Sequence, residues 1–388
     1  MPLTKLSSMR VSAFDSRRRG AAAGPPFLGF FRMKTDRLMS WTCAGRHPVR
    51  TRIEVLRLLL VALCGCGLAL GAAAGEQDPV RIALTREATA APFYVAVAAG
   101  FFRAEGLDPE VTFAKTDPAV YTVVASGKAD IGMASLSAAF YSYAASHGLK
   151  IIASRSSDQT GFPIYALLIS RKAQTAGFSG VRGLAHARIG IAGSNSGTYY
   201  ALFSIALRFG LDAGSIKTIS LKTASEELRA LSRDDVDAVV LPFATALQSA
   251  SKGRRLLPLS DLTQWQQGVI FTSAKNIAAN RVLIERFMRA YQRGTADYQL
   301  NFLHYDDGGD FIPRPNYDRY LDAISREVEI PPAMLAITKS YCDRRANLDV
   351  ADIAKQVHFW QDQSRLDKHI VAADLLDLSF IGEENIAP

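Results

Sequence analysis

Apolar positions after residue 79 fall into short runs, separated by longer stretches whose apolar residues recur at helical spacing. The run at 80–85 reads as a strand, and 92–105 as a helix with Pro92 in its first turn, where a missing N–H leaves no partner unmet. Strands are expected at 110–113, 130–133 and 150–153, and helices at 118–126 and 136–147. A further strand at 165–169 carries the chain out of this first unit. The alternation then restarts, with strands at 187–192, 216–221 and 237–241 and helices at 197–209, 225–231 and 243–249. A strand at 268–272 returns to the first unit, and helices at 281–303, 317–328 and 350–363 complete the chain. β-Branched runs separated by helices of this length indicate parallel βαβ units. The expected architecture is α/β and two-lobed, with two crossovers and a helical C-terminal extension. Residues 78–168 and 266–388 form the first lobe, and 169–265 the second.

Charge changes the picture once it is split. The whole chain carries 45 Lys+Arg against 37 Asp+Glu, net +8, which by itself suggests nucleic acid. Residues 1–74 hold 12 of the basic residues and 3 of the acidic ones, which leaves 33 against 34 for the remainder. A nucleic-acid footprint belongs on the folded domain, so nucleic acid is not an expected partner. The basic segment reads as a leader. Arg46, Arg50, Arg52 and Arg57 precede the apolar run LLLVALCGCGLAL at 58–70, and Gly71, Ala72, Ala73 and Ala74 follow it. These are the parts of a secretory signal peptide, and the run is shorter than the ~20 apolar residues that span a bilayer. Cleavage before Gly75 and export to the periplasm are expected. An uncleaved anchor and lipoprotein processing at Cys66 are the alternatives, and Met33 or Met39 is a candidate translation start. Cys43, Cys64 and Cys66 lie in the leader, so the exported chain keeps Cys342 alone and forms no internal disulfide or cysteine metal site. His147, His186, His304, His358 and His369 show no metal-ligand spacing. Neither cofactor nor metal is expected, and the exported chain is taken as a monomer.

Several segments in series resemble one family: APFYVAVAAGFFRAEGL at 91–107, ASGKADIG at 125–132, ARIGIAG at 187–193, AYQRGTA at 290–296 and FWQDQSRLD at 359–367. The chain resembles the periplasmic substrate-binding proteins of ABC importers for sulfonates, taurine, nitrate and thiamine-pyrimidine precursors. The resemblance implies a type II periplasmic-binding fold, a ligand held between lobes, and separately encoded permease and ATPase partners. It transfers no substrate. An enzyme of the same fold acting in thiamine-pyrimidine synthesis, and a binding protein that feeds a sensor, are the alternative readings.

Ligands of open α/β sheets bind beyond the carboxyl ends of strands, where helix N-termini point. Two turns occupy such positions. One carries Ser135 and Ser137, and the other Ser194, Asn195, Ser196, Gly197, Thr198 and, just inside the helix, Tyr199. Their hydroxyls sit beside unpaired N–H groups and read equally as helix caps or ligand contacts. The second turn is not a P-loop, because no lysine stands between Gly197 and Thr198. It is not a nucleophile elbow, because its centre is Asn195. Asp158 is added as a polar residue following a strand, with Asp117 a weaker candidate of the same kind. Phe93, Tyr94, Tyr200 and Trp265 are candidates for stacking on a planar ligand. No motif places an arginine as an anion clamp, so a small anion and a planar heterocycle both stay open.

Overall fold

Strand β1, Asp78–Leu84, buries Val80, Ile82 and Leu84 completely. It pairs in parallel with β2, Leu107–Phe113, on one side and β3, Ile131–Ser135, on the other. Such a strand is covered on both faces, which is why its sequence reads as a nearly continuous apolar run. The chain is seen here in a computed structural model that describes residues 77–250 and 253–382. The leader expected at 1–74, with Cys66, lies outside the described residues.

Between β1 and β2 run α1, Ala91–Ala98, and α2, Phe101–Ala104. The single helix expected at 92–105 is divided because Gly100 adopts φ +76°, a left-handed conformation that glycine takes without strain. Helix α3, Asp117–Ala125, leads to β3, and α4, Ala138–His147, to β4, Leu149–Asp158. Strand β4 runs well past the apolar 150–153. Its second half, Ser154 to Asp158, is polar yet buried.

The second sheet is built from β5, Tyr165–Ile169, β6, Arg188–Ile191, β7, Lys217–Ser220, β8, Ala238–Pro242, and β9, Arg255–Pro258. Its helices are α5, Arg171–Thr175, α6, Gly197–Arg208, α7, Ala224–Ser232, and α8, Phe243–Ala250. Strand β10, Trp265–Ser273, returns to the first sheet and is buried along its whole length. The strand orders are β2-β1-β3-β10-β4 and β7-β6-β8-β5-β9. In each sheet the strand delivered by a crossover, β10 or β5, is the antiparallel one, inserted between the third strand and an edge. Pairing of β5 with β8 and β9 puts the entry into the second sheet at Tyr165, ahead of the expected start at 169.

The remaining chain packs on the first lobe. Helix α9, Ala274–Phe302, is kinked at Asn280, so its long straight part begins where the sequence placed it. It is followed by α10, Tyr317–Val328, α11, Pro332–Ile337, and α12, Val350–Asp362. The tail adds to the edge at β4, where Ser154 and Ser157 N–H donate to the carbonyls of Ala346 and Tyr341. Among the described residues no helix is long and apolar enough to cross a membrane.

Candidate ligand-binding cleft

The β3–α4 turn and the β6–α6 turn stand at the carboxyl ends of parallel strands in different sheets, and they meet. Ser137 and Ser196 form an antiparallel bridge, and Ala138 N–H donates to the Asn195 carbonyl at 3.2 Å. Beside this contact lies a cavity of about 280 Å³.

Five of the nine residues singled out in the sequence line it: Ser135, Ser137, Ser196, Gly197 and Thr198. The Ser137 hydroxyl accepts the Phe140 N–H at 3.1 Å, capping α4. The Ser196 hydroxyl does not cap α6. It donates to the Gly193 carbonyl at 2.5 Å and lies 2.8 Å from the Thr198 hydroxyl. The other four lie outside the lining. Arg365 donates to the Ser194 carbonyl at 2.6 Å and to Asn195 Oδ1 at 2.7 Å. The Tyr199 ring stacks on Trp360. Asp158 is fully buried and accepts the Ile164 N–H at 3.0 Å and the Trp265 indole N–H at 3.4 Å, which ties the crossover to β10. Burial pushes its carboxyl up to about 7, with these hydrogen bonds opposing the rise. Of the aromatic candidates, Trp265 reaches the cavity, flanked by Tyr165 at 6.3 Å between ring centres.

Of the other lining residues, Asp117 was the weaker acidic candidate of the sequence, and Gln267, Glu87 and Glu227 had no mark there. Gln267 on β10 donates through Nε2 to the Ser135 hydroxyl at 2.8 Å and accepts from the Ser156 hydroxyl at 2.7 Å. Glu87 follows β1, and Asp117 begins α3. Asp117 Oδ2 accepts the Ser135 N–H at 3.2 Å, while Oδ1 has no partner. Burial raises this carboxyl to about 6, the charge on Glu87 adds to the rise, and Arg155 opposes it. Glu227 lies in the first turn of α7 and is 2% exposed. Its Oε1 has no partner, and burial alone pushes the carboxyl up to about 8.

Behind the lining lies Arg155 on β4, with no exposed surface. Its Nη2 is 3.2 Å from each of Glu87 Oε2, Ser135 Oγ and Gln267 Oε1. Gly268 makes the room, since a Cβ there would come 2.5 Å from Arg155 Nε. This guanidinium is thus already engaged by a carboxylate through Nη2, while its Nε and Nη1 have no partner. A buried arginine in a polar stretch of strand was the available signal for it, and spacing alone did not reveal it. Among the described residues no group of three or more His, Cys, Asp or Glu is placed to hold a metal ion.

Helix α12 ties the lobes together. The Tyr200 hydroxyl, on α6, donates to Asp352 Oδ1 on α12 at 2.6 Å. Asp352 Oδ2 accepts from the Gln266 N–H and Gln356 Nε2, both at 2.8 Å.

A family model described as NMT1/THI5 like matches residues 87–301. No curated protein matches the sequence. Solved structures with a similar fold include the alkanesulfonate-binding protein SsuA from Xanthomonas axonopodis pv. citri bound to MOPS. It is 15% identical, with 79% of this chain and 100% of that one covered and a TM-score of 0.56. The periplasmic aliphatic sulphonate binding protein SsuA from Escherichia coli is 14% identical, with 77% and 96% covered and a TM-score of 0.57. The ligand-binding component of an ABC-type import system from Staphylococcus aureus, with zinc bound, is 12% identical, with 79% and 99% covered and a TM-score of 0.59. At these identities the likeness shows the fold, the two α/β lobes of a periplasmic binding protein.

Proposed function

The chain belongs to the NMT1/THI5-like family, and from that premise we propose that it is an exported solute-binding protein. It closes two lobes around a small organic molecule and presents it to the permease and ATPase of an ABC importer. The observation that carries this reading is the cavity of about 280 Å³, lined from both lobes by strand-end turns that touch across the cleft. A site built this way is completed only when the lobes meet, so ligand and closure are linked, as in hinge-closing binding proteins. The structural relatives whose names record sulfonate binding or ABC import support the same class of activity. The basic, apolar and small-residue leader supports export to the periplasm.

Binding without turnover agrees with the chemistry present. Cys342, the sole cysteine after the leader, is 1% exposed, and burial pushes its thiol up, away from the thiolate form a nucleophile needs. The test is a thermal-shift screen of the purified protein against small organic solutes, since a ligand of the native state raises apparent stability by mass action. At least one solute raises the melting temperature in a dose-dependent way and is recovered unchanged. A screen in which every stabilising compound is converted to product would replace the reading with an enzyme of this fold.

A further inference from the structure

Charge in the cleft leaves no positive surplus for an anionic ligand. Glu87, Asp117 and Glu227 bring three carboxyls to one cavity. The N-termini of α3, α4, α6 and α7 each present about half a positive charge, and Arg155 adds one, about three in all, which three carboxylates cancel once ionised. Arg155 is paired with Glu87 through Nη2 at 3.2 Å, while its Nε and Nη1, behind the lining, have no partner.

Glu227 decides the sign. It is 2% exposed, its Oε1 has no hydrogen-bond partner, and burial alone perturbs it, with no charge compensating. An unpartnered buried carboxyl is costly and calls for a donor. Asp117 repeats the arrangement in the other lobe, one oxygen held by the Ser135 N–H and the other free. Trp265 and Tyr165 supply an aromatic wall beside these acceptors, a surface that attracts cations through its π-face.

We propose that the ligand is a small organic cation bearing N–H groups, an ammonium, amidinium or guanidinium, received by Asp117 of one lobe and Glu227 of the other. This rests on the solute-binding reading and names the class of solute. It also fixes a proton linkage. Glu227, at about 8, carries a proton at neutral pH, and a cation expels it on binding. The titratable groups that share the cavity with Glu227 are Glu87, Asp117 and Tyr165, with Arg155 behind the lining. On its own helix are Glu226 and Arg229, while Ala192, Val240 and Pro242 around it are apolar. Affinity for a cation therefore rises with pH through 8 and then levels off. An anion shows the opposite slope.

The test uses the purified chain and matched probes: benzamidinium, phenethylammonium and phenylguanidinium against benzenesulfonate, benzoate and phenylacetate. Cations bind, and the tightest binds about 25-fold more strongly at pH 8.5 than at pH 6.5. Glu227→Gln weakens it about tenfold or more and flattens the pH slope, and Asp117→Asn weakens it comparably. Melting curves of both variants confirm that they fold. Binding confined to the anions overturns the ligand class and leaves solute binding standing. A cation whose affinity and pH slope survive Glu227→Gln also overturns it. No binding by any of the three cations, beside a stabilising solute of another class in the thermal-shift screen, also overturns the ligand class.

Discussion

Replacing Gly197 with alanine separates closure from folding. Gly197 opens α6, and its backbone is helical, so an alanine strains nothing locally and supports the helix by up to ~1 kcal/mol. The added carbon has no room once the lobes meet. It would lie 2.5 Å from two ring carbons of Trp265 and 3.0 Å from the Leu136 carbonyl, both carried by the other lobe. Trp265 cannot easily yield, being 2% exposed and tied to Asp158. Overpacking of this kind costs about 1–3 kcal/mol, and here it falls only on the arrangement in which the lobes touch. Gly197→Ala should therefore weaken solute binding roughly 5- to 150-fold, with a ligand-free melting temperature equal to or above that of the parent. Titration calorimetry with the best solute, beside a melting curve, reads both quantities. Undiminished affinity would refute the reasoning, because it would mean that these lobes need not approach this closely to hold a ligand.

Tyr200→Phe removes the hydroxyl that Asp352 accepts at 2.6 Å and leaves a buried carboxylate oxygen short of a donor. The expected loss is about 1–3 kcal/mol in urea unfolding, and an unchanged midpoint would show that the tie between α6 and α12 carries no stability. Glu227→Gln should change how stability depends on pH. Because the folded protein holds this carboxyl at about 8 rather than the ordinary 4.5, its stabilising contribution is complete below about 4.5 and is lost as pH rises through 8. The loss is on the order of 5 kcal/mol at most, at about 1.4 kcal/mol per pH unit. The variant should therefore gain on the parent between pH 5 and 9 in melting experiments, and parallel curves would contradict the burial of that carboxyl.

The strands with apolar, β-branched runs were legible in the sequence, and so was the restart of the alternation that marks a second lobe. What escaped was polar sequence that tertiary structure buries. The end of β4 contains Arg155, Ser156 and Asp158, which are buried in the strand rather than exposed in a turn. Strand β9 is short and only partly covered, and has little apolar signal of its own. The two strand-end turns were readable from the rule that places ligands beyond strand carboxyl ends. Which side chains of a turn face inward was not. Arg365, far along the chain, holds Ser194 and Asn195, while Ser196 and Thr198 remain at the cavity. Glu87 and Glu227 are 140 positions apart and have nothing in common until the lobes bring them to one cavity. The raised pKa of Glu227 is a property of burial, which a residue count does not carry.

Closure around a bound solute is the central claim, and small-angle X-ray scattering reads it directly. With the tightest solute at saturation, the radius of gyration of the protein should fall relative to the ligand-free state, and Gly197→Ala should show a smaller fall or none. A radius unchanged at saturation, with binding verified in the same sample, would contradict a cleft that closes on its ligand.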